Sequence, residues 1–341
     1  MSKKILYVVN TPDFFLSHRL DIALAAKRLF DVHIATCKGS KIKEIKNYGL
    51  KHHIIYLNRE AKNFFLELKC FFSIFKLIKK LKPDIIHLVT IRPCLYGGII
   101  SKFLKINSIV ISISGLGSIF TKNNLKFYFY RKIIFFLYKI IFFQKKNLKI
   151  IFQNDDDKDI FLKNTNLSED QTVMIRGVGV NLNIYKNLFF SMEDNIVVMI
   201  SRLLKDKGVI EYLEAASQLR KKYNNIKFWL VGDLDLGNPM SLTKNEINAW
   251  EKKNIVSFLG YSENIIKIIN QSKIVVLPSY REGMPKILLE AAACERAIIT
   301  TNVPGCRDAI IPDKTGLLIQ PRDVYSLVVA IEKLVFDNNL C

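Results

Sequence analysis

"KIVVLPSYREGMPKILLEAAACERAIITT", residues 273–301, decides the fold of its half of the chain. An apolar, β-branched run ends at Pro278, a glycine follows at Gly283, Pro285 opens a helical pattern, and "AIITT" from Ala297 returns to strand. A strand, a crossover helix and a second strand of this length imply two parallel neighbours in one sheet. Two acids interrupt the pattern: Glu282 stands beside the glycine, and Glu290 lies inside an otherwise apolar helix.

Outward from this unit the same alternation repeats. "NIVVMIS" (195–201), "IKFWLVG" (226–232), "IVSFLG" (255–260) and "GLLI" (316–319) read as strands with helices between them. An earlier series runs through "KILYVVN" (4–10), "VHIAT" (32–36), "HHIIYL" (52–57), "DIIHLV" (84–89), "SIVISIS" (108–114) and "KIIFQ" (149–153). Single helices are expected over Leu16–Phe30, Lys41–Asn47 and 64–81. The class is therefore α/β, with two doubly wound parallel sheets facing across a cleft. With 341 residues there is room for two domains. The polar stretch within Ile184–Asp194 divides them into domains 1–188 and 189–341.

Ligands of such sheets bind at the carboxyl ends of the strands. There the second series carries "RLLKDKG", with Arg202 at a strand end and Lys207 just before Gly208. Two cations beside helix-terminal amides suit a diphosphate, though alone the pattern fits surface salt bridges equally. Gly283 admits close backbone approach, and Pro285 suits a first helical turn whose amides and dipole face the cleft. Glu282 could accept hydrogen bonds from sugar hydroxyls, and Glu290, about two turns on, could take a vicinal diol. The alternative is structural: Glu282 as a helix cap and Glu290 as a partner of Lys286.

The net charge of +20 favours an acidic partner unless it reflects biased Lys, Ile, Asn, Phe and Tyr usage. Its distribution is more telling. Residues 123–149, "NNLKFYFYRKIIFFLYKIIFFQKKNLK", interleave aromatic and aliphatic residues with Lys126, Arg131, Lys132 and Lys139. Those charges interrupt the run too often for a spanning helix, which needs about 20 apolar residues, and an interfacial helix on anionic lipid fits better. The alternative is a domain helix with a wide apolar face. Residues 64–82 have the same character. Nothing helix-turn-helix-like or RNP-like accompanies the charge, so no nucleic-acid partner is expected. "MSKKILYVVN" enters a strand directly and lacks the apolar core of a signal peptide, which implies a cytoplasmic protein. Six cysteines without metal-ligand spacing read as packed thiols. "QNDDDKD" (153–159) reads as Asn154 capping a helix whose first turn is acidic, and no metal is expected.

Taken together, "PSYREGMPKILLEAAAC", "AIITTNVPGCRDAI", "TGLLIQPRD", "SRLLKDKGV", "LVGDLDLGNP", "VSFLGY", "GVGVNLNIY" and "NTPDFFLSHRL" resemble the retaining glycosyltransferases of family 4, with an E-x7-E pair at Glu282 and Glu290. The resemblance covers most of the chain and is strongest over 195–323. It implies the two-Rossmann-domain GT-B fold, with an acceptor-binding first domain and a donor-binding second. Similar in character are bacterial capsule, O-antigen and N-linked glycan enzymes that take sugar nucleotides and polyprenyl-diphosphate-linked acceptors. Carried over, Arg202 and Lys207 would hold the donor diphosphate, Glu290 the ribose, and Glu282 the donor sugar. The Gly283 and Met284 amides would support sugar or phosphate, and the loop from Phe258 to Tyr261 would face the base, uracil. The resemblance further implies a UDP-sugar as donor substrate, no cofactor, and a membrane-peripheral place on the inner face of the cell membrane.

Several positions depart from the family pattern. Val89 stands where many members carry a histidine two residues beyond that of "DxxH", here His87. His18 is the alternative: a histidine touching acceptor or donor sugar, or simply a helix-face residue. Arg19 and Arg92 could meet an acceptor phosphate or form surface pairs, and Gly115 in "GLG" could open an anion-binding turn or only a tight one. Glu295 and Ala297 stand where relatives usually have Gly and Pro, which would loosen the helix stop. One terminal helix precedes Cys341, whereas relatives usually continue into a crossover helix, which is expected to be lacking. Two other readings stay open: a sugar-nucleotide epimerase of the same fold, and an inactive membrane-peripheral sugar-binding protein.

Overall fold

In the computed structural model, the structure describes residues 2–57, 63–117, 120, 124–143, 147–186, 195–235 and 237–337. Positions 187–194 of the expected domain boundary, 123 and 144–146 of the expected basic helix, and Cys341 lie outside them. The contacts divide the chain into two compact units, Met1–Val178 and Gly179–Cys341.

The first unit alternates β1 (Lys4–Val8), α1 (Pro12–His18), α2 (Leu20–Ala26), β2 (Asp31–Thr36), α3 (Ile42–Asn47), β3 (Lys51–Ile54), α4 (Phe64–Leu81) and β4 (Ile85–Val89). After a π-helical turn at Pro93–Gly97 come α5 (Gly98–Phe103), β5 (Ser108–Ile113), α6 (Leu125–Phe142), β6 (Leu148–Phe152), α7 (Asp155–Asn164) and β7 (Thr172–Met174). Its seven strands are ordered β3-β2-β1-β4-β5-β6-β7, all parallel. Successive side chains of β1 enter opposite cores, because a strand alternates its faces. Leu6 and Val8 join one cluster with Ile74, Ile111, Tyr138 and Phe161, while Ile5, Tyr7 and Val9 join another with Phe15 and Ile34.

The single helix expected over 16–30 is two. Arg19, at φ −135 and ψ −5, is the C-cap of α1 and the N-cap of α2, and the chain turns there. Asn154 caps α7 as expected, its side chain accepting from Asp157 N at 2.8 Å ahead of three aspartates in the first turn. Among the described residues no cluster of three or more His, Cys, Asp or Glu is placed to hold a metal. Nor is any helix among them long and apolar enough to cross a membrane.

The second unit runs β8 (Asn195–Ile200), a 3₁₀ turn at Lys205–Lys207, α8 (Val209–Lys222), β9 (Ile226–Val231), α9 (Lys244–Glu251), β10 (Ser257–Gly260), α10 (Ile265–Gln271), β11 (Ile274–Leu277), α11 (Lys286–Ala293), β12 (Ala297–Thr301), β13 (Leu317–Ile319) and α12 (Val324–Phe336). Six parallel strands take the order β10-β9-β8-β11-β12-β13. In each sheet the chain winds outward one way and then the other. The reversal falls between β1 and β4 in the first unit and between β8 and β11 in the second, and such seams are where open sheets receive ligands. Both halves are thus Rossmann-like doubly wound domains.

Candidate functional site

At the β8–β11 seam two turns are locked together by backbone. Gly208, at φ +77, ends the 3₁₀ turn after β8, and any β-carbon there would lie 2.1 Å from the carbonyl oxygen of Pro278. Tyr280 N donates to Asp206 O at 2.9 Å. Lys207 and the "PSYREG" turn are therefore brought side by side through glycine and main-chain bonds, independently of any ligand.

Within this frame Lys207 Nζ is bonded to Glu282 Oε1, and Ser279 Oγ lies 2.7 Å from the same oxygen. The pair is mostly buried, with side-chain exposures of 20% and 13%. Glu282 does not cap α11, whose N-cap is Pro285 without a side-chain bond. Arg202 follows β8 on the same edge and is more open, 52% exposed, with Nη1 2.5 Å from Asp235 Oδ2. Burial raises the Asp206 carboxyl above its ordinary pKa, against the lowering influence of Lys207, and its Oδ1 is buried without a hydrogen-bond partner. Two cations, Arg202 and Lys207, and three carboxylates, Asp206, Asp235 and Glu282, thus share one strand edge.

Glu290 sits in α11 and is 7% exposed. Lys286 Nζ is 3.1 Å from its Oε1, so the i,i+4 pair of the structural alternative forms. Tyr185 also bonds it, and burial followed by this carboxylate pushes the phenol well above its usual range. Gly283 is buried and Met284 half-buried in the turn between them. Phe258 packs against the core of the unit, whereas Tyr261, 61% exposed, extends beyond the end of β10.

Four supporting residues were not assigned from the sequence. Ser279 is fully buried beneath Glu282, and Thr301 Oγ1 donates to its carbonyl. Pro304 O accepts from Glu282 N at 3.2 Å. A β-carbon on Gly305, at φ +80, would meet the carbonyl oxygens of Gly283 and Glu282 at 2.5 and 2.6 Å. The signal available for Gly305 was the turn-forming "NVPG" after a strand; Ser279 carried none beyond its place next to Pro278.

The first unit's candidates lie at its own strand edge. His18 ends α1, its ring stacked on Phe14 at 4.1 Å with Ser17 Oγ 2.6 Å from Nδ1. Arg19 is 5% exposed, with Nη1 donating to His18 O at 2.7 Å and Nη2 to Ser114 Oγ at 3.4 Å. Gly115, two residues past β5, takes φ +101. Arg92 Nη2 pairs with Glu67 Oε1 at 2.6 Å, and Tyr96 holds the other carboxylate oxygen at 2.5 Å. His87 is inside the sheet, 2.8 Å from Ser112 Oγ, and burial and then Arg19 depress it to about 3. It is a neutral core imidazole.

The sequence pattern of the glycosyl transferases group 1 matches residues 182–341, and that of the glycosyl transferase 4-like proteins matches residues 4–154. A Campylobacter jejuni N,N'-diacetylbacillosaminyl-diphospho-undecaprenol alpha-1,3-N-acetylgalactosaminyltransferase is 31% identical over 96% of this chain and 90% of its own. The chain belongs to the group 1 glycosyltransferases. Among its relatives is an Escherichia coli UDP-Gal:alpha-D-GlcNAc-diphosphoundecaprenol alpha-1,3-galactosyltransferase, 27% identical over 80% of this chain and 72% of that protein. The fold is that of the GT-B glycosyltransferases: Anabaena HepE in complex with UDP-glucose matches with a TM-score of 0.78 over 99% of this chain and 91% of that one, at 16% identity. As a group 1 glycosyltransferase the chain is a transferase.

Proposed function

We propose that this glycosyltransferase moves a hexose or N-acetylhexosamine, GalNAc or GlcNAc, from a UDP-sugar to a polyprenyl-diphosphate-linked saccharide, with retention at the anomeric carbon and without a metal. The observation that carries this reading is the Lys207–Glu282–Ser279 cluster beside Arg202 at the β8–β11 seam. Lys207 and Arg202 can exchange their carboxylates for the donor diphosphate, and Glu282, so released, can accept from the sugar hydroxyls. The buried Glu290 carboxylate suits the ribose diol, with Gly283 and Met284 bordering the sugar and the turn at Phe258–Tyr261 bordering the base. The acceptor falls to the first domain, through Arg19 and Gly115, with His18 and Arg92 as further contacts. The Campylobacter jejuni and Escherichia coli relatives, both named for undecaprenyl-diphosphate-linked acceptors, support the acceptor class.

In this reaction the bond from the anomeric carbon to the UDP oxygen breaks as the bond to the acceptor hydroxyl oxygen forms on the same face. The acceptor proton passes to the departing diphosphate. Lys207 and Arg202 are fixed where charge builds on that leaving group, which is the stabilisation a preorganised site supplies. No protein nucleophile takes part.

A place at the inner membrane surface is supported by the first unit's helices. On α6 and its cap, Leu125, Phe129, Ile133, Phe136 and Phe143 are 54% exposed or more, and on α4 Phe64 and Phe65 exceed 70%. Lys126, Lys132 and Lys139 are exposed among them. Apolar side chains with interleaved cations suit the headgroup region of an anionic bilayer.

The reading is tested by mass spectrometry of products from a panel of UDP-sugars and polyprenyl-diphosphate saccharides. Wild type should yield a lengthened lipid-linked saccharide, and the Glu282→Ala and Arg202→Ala variants should lose transfer. Full transfer by both variants would overturn the site. Isomerised nucleotide released without any acceptor would mark an epimerase instead.

A further inference from the structure

At the β1–β4 seam of the first unit a buried positive charge has no counter-charge among the described residues. Arg19 is 5% exposed; among the described residues its side chain donates only to a backbone carbonyl and a serine hydroxyl, and its buried Nε has no partner. The titratable groups in its field are Tyr7, Cys94 and His87. Burial pushes the tyrosine up to about 12 and the cysteine well above its ordinary value, and holds the histidine down to about 3, so all three are neutral near pH 7. Arg92, the other arginine at this edge, is committed to Glu67.

The location is informative. Tyr7 on β1 and His87 on β4 are register partners with rings 5.1 Å apart, so a charge acting on both lies over the seam where the strand order reverses. The equivalent seam of the second unit carries Arg202, Lys207 and Glu282. On the far side of the β1–β4 seam, Thr90 follows β4 at φ +74, a strained conformation for a β-branched residue, and its Oγ1 is buried without a hydrogen-bond partner. Ser114 and then Gly115 at φ +101 follow the adjacent strand, β5. An unpaired buried guanidinium and an orphaned hydroxyl are both costly, and both costs are recovered when an anion occupies the seam.

We propose that this seam is an anion site in which Arg19, with Thr90 and Ser114, receives a phosphoryl group, that of the prenyl-diphosphate acceptor. The choice of acceptor rests on the function proposed above; the anion site itself rests on the seam. Arg19 offers a planar fork of donors, and the two hydroxyls supply the remaining hydrogen bonds.

Calorimetric titration of the full chain with inorganic pyrophosphate and with geranyl diphosphate tests the proposal. Arg19→Met should weaken both by about tenfold or more, since a charge-assisted hydrogen bond is lost. Thr90→Val, which keeps the β-branched shape, should weaken them less. UDP affinity should not change, and the Tm of Arg19→Met should hold or rise because an unpaired buried charge has gone. A purely structural arginine gives the opposite pattern, a lower Tm with unchanged probe affinity, and that result would overturn the site. Should Arg19→Met not fold, unchanged pyrophosphate binding in both Arg19→Lys and Thr90→Val would overturn it equally. Arg19-dependent binding of pyrophosphate but not of geranyl diphosphate would support the anion site and remove the acceptor from it. Failure of wild type to bind UDP would strike the donor reading alone.

Discussion

Lys207 is bonded to Glu282 across 75 residues of sequence, so the cation proposed to meet the leaving diphosphate is neutralised within the chain. Ser279 supports the same carboxylate oxygen. Under the proposed function, donor binding is an exchange in which phosphate takes the lysine and sugar takes the glutamate. In Glu282→Gln the lysine is freed of its counter-charge, and UDP should bind about fivefold more tightly, the worth of about 1 kcal/mol for a partly exposed pair. Sugar transfer should nevertheless fall by at least tenfold. Titration calorimetry with UDP, run beside the transfer assay, checks both, and weaker UDP binding in the variant would sink the exchange.

Gly305 supports that pair from below. Its φ of +80 and the carbonyl oxygens 2.5 and 2.6 Å from a would-be β-carbon leave no room for alanine unless the Glu282–Gly283 turn moves. Gly305→Ala should therefore cost about 1–3 kcal/mol of stability and lose transfer disproportionately. Thermal melts and kinetics on one preparation measure the two effects together. A variant with wild-type kcat would show that the turn tolerates the shift.

The succession of strands and helices, and with it the class, was legible in the sequence because each βαβ unit carries its own apolar period and turn residues. Gly208, Gly283 and Pro285 marked the turns for the same local reason. What escaped was long-range or cooperative. The break at Arg19 leaves no Pro or Gly in "FFLSHRLDIALAA", and the π-helical turn at Pro93–Gly97 is fitted under the sheet by glycines 97 and 98, whose added β-carbons would meet Leu88 and Ile141 at 2.4 and 2.8 Å. That Ser279 and Lys207 converge on one carboxylate oxygen depends on two turns meeting in space, which no spacing encodes. For Phe258 the loop position was readable but the side chain's direction, into the core, was not.

Glu295 illustrates a departure with a physical consequence. It follows the C-cap of α11 and takes the left-handed conformation, φ +56, that glycine adopts without strain. The helix stop is retained, with Glu295 N bonded to Ala292 O at 3.0 Å, so the missing glycine costs energy without altering the trace. Glu295→Gly should stabilise the protein by about 0.5–1 kcal/mol and leave transfer unchanged. Chemical denaturation of the two proteins decides it; a destabilised variant would mean that contacts of the glutamate outweigh the backbone strain.

Under the proposed place at the membrane surface, the exposed apolar face of α6 is what meets lipid. Arg131 and Lys132 lie among Tyr128, Phe129 and Ile133, with Lys132 Nζ 4.6 Å over the Tyr128 ring. Reversing both charges, Arg131→Glu with Lys132→Glu, should weaken binding to anionic vesicles by about tenfold or more, at about 1 kcal/mol for each basic residue near the surface. The deficit should shrink in high salt as screening removes the attraction from wild type as well. Flotation with anionic and neutral vesicles separates the electrostatic part from insertion of Phe129 and Phe136, and unchanged flotation on anionic vesicles would exclude this face.

His87 sets an acid limit on the fold. Buried against Tyr7 and Ser112 and within the field of Arg19, it is held at about 3 in the folded protein, below its ordinary 6.5. Its neutral form is the folded form. The stability this contributes is complete above pH 6.5 and is lost as the pH falls towards 3, because the unfolded chain binds the proton first. By pH 4 the loss from this residue is about 3 kcal/mol, at about 1.4 kcal/mol per unit. His52, held at about 4 chiefly by burial, adds to it in the same direction. His87→Asn should therefore be less stable than wild type at neutral pH, through the lost packing, yet show a shallower decline in Tm between pH 6.5 and 4. Parallel slopes in the two proteins would place the acid sensitivity elsewhere.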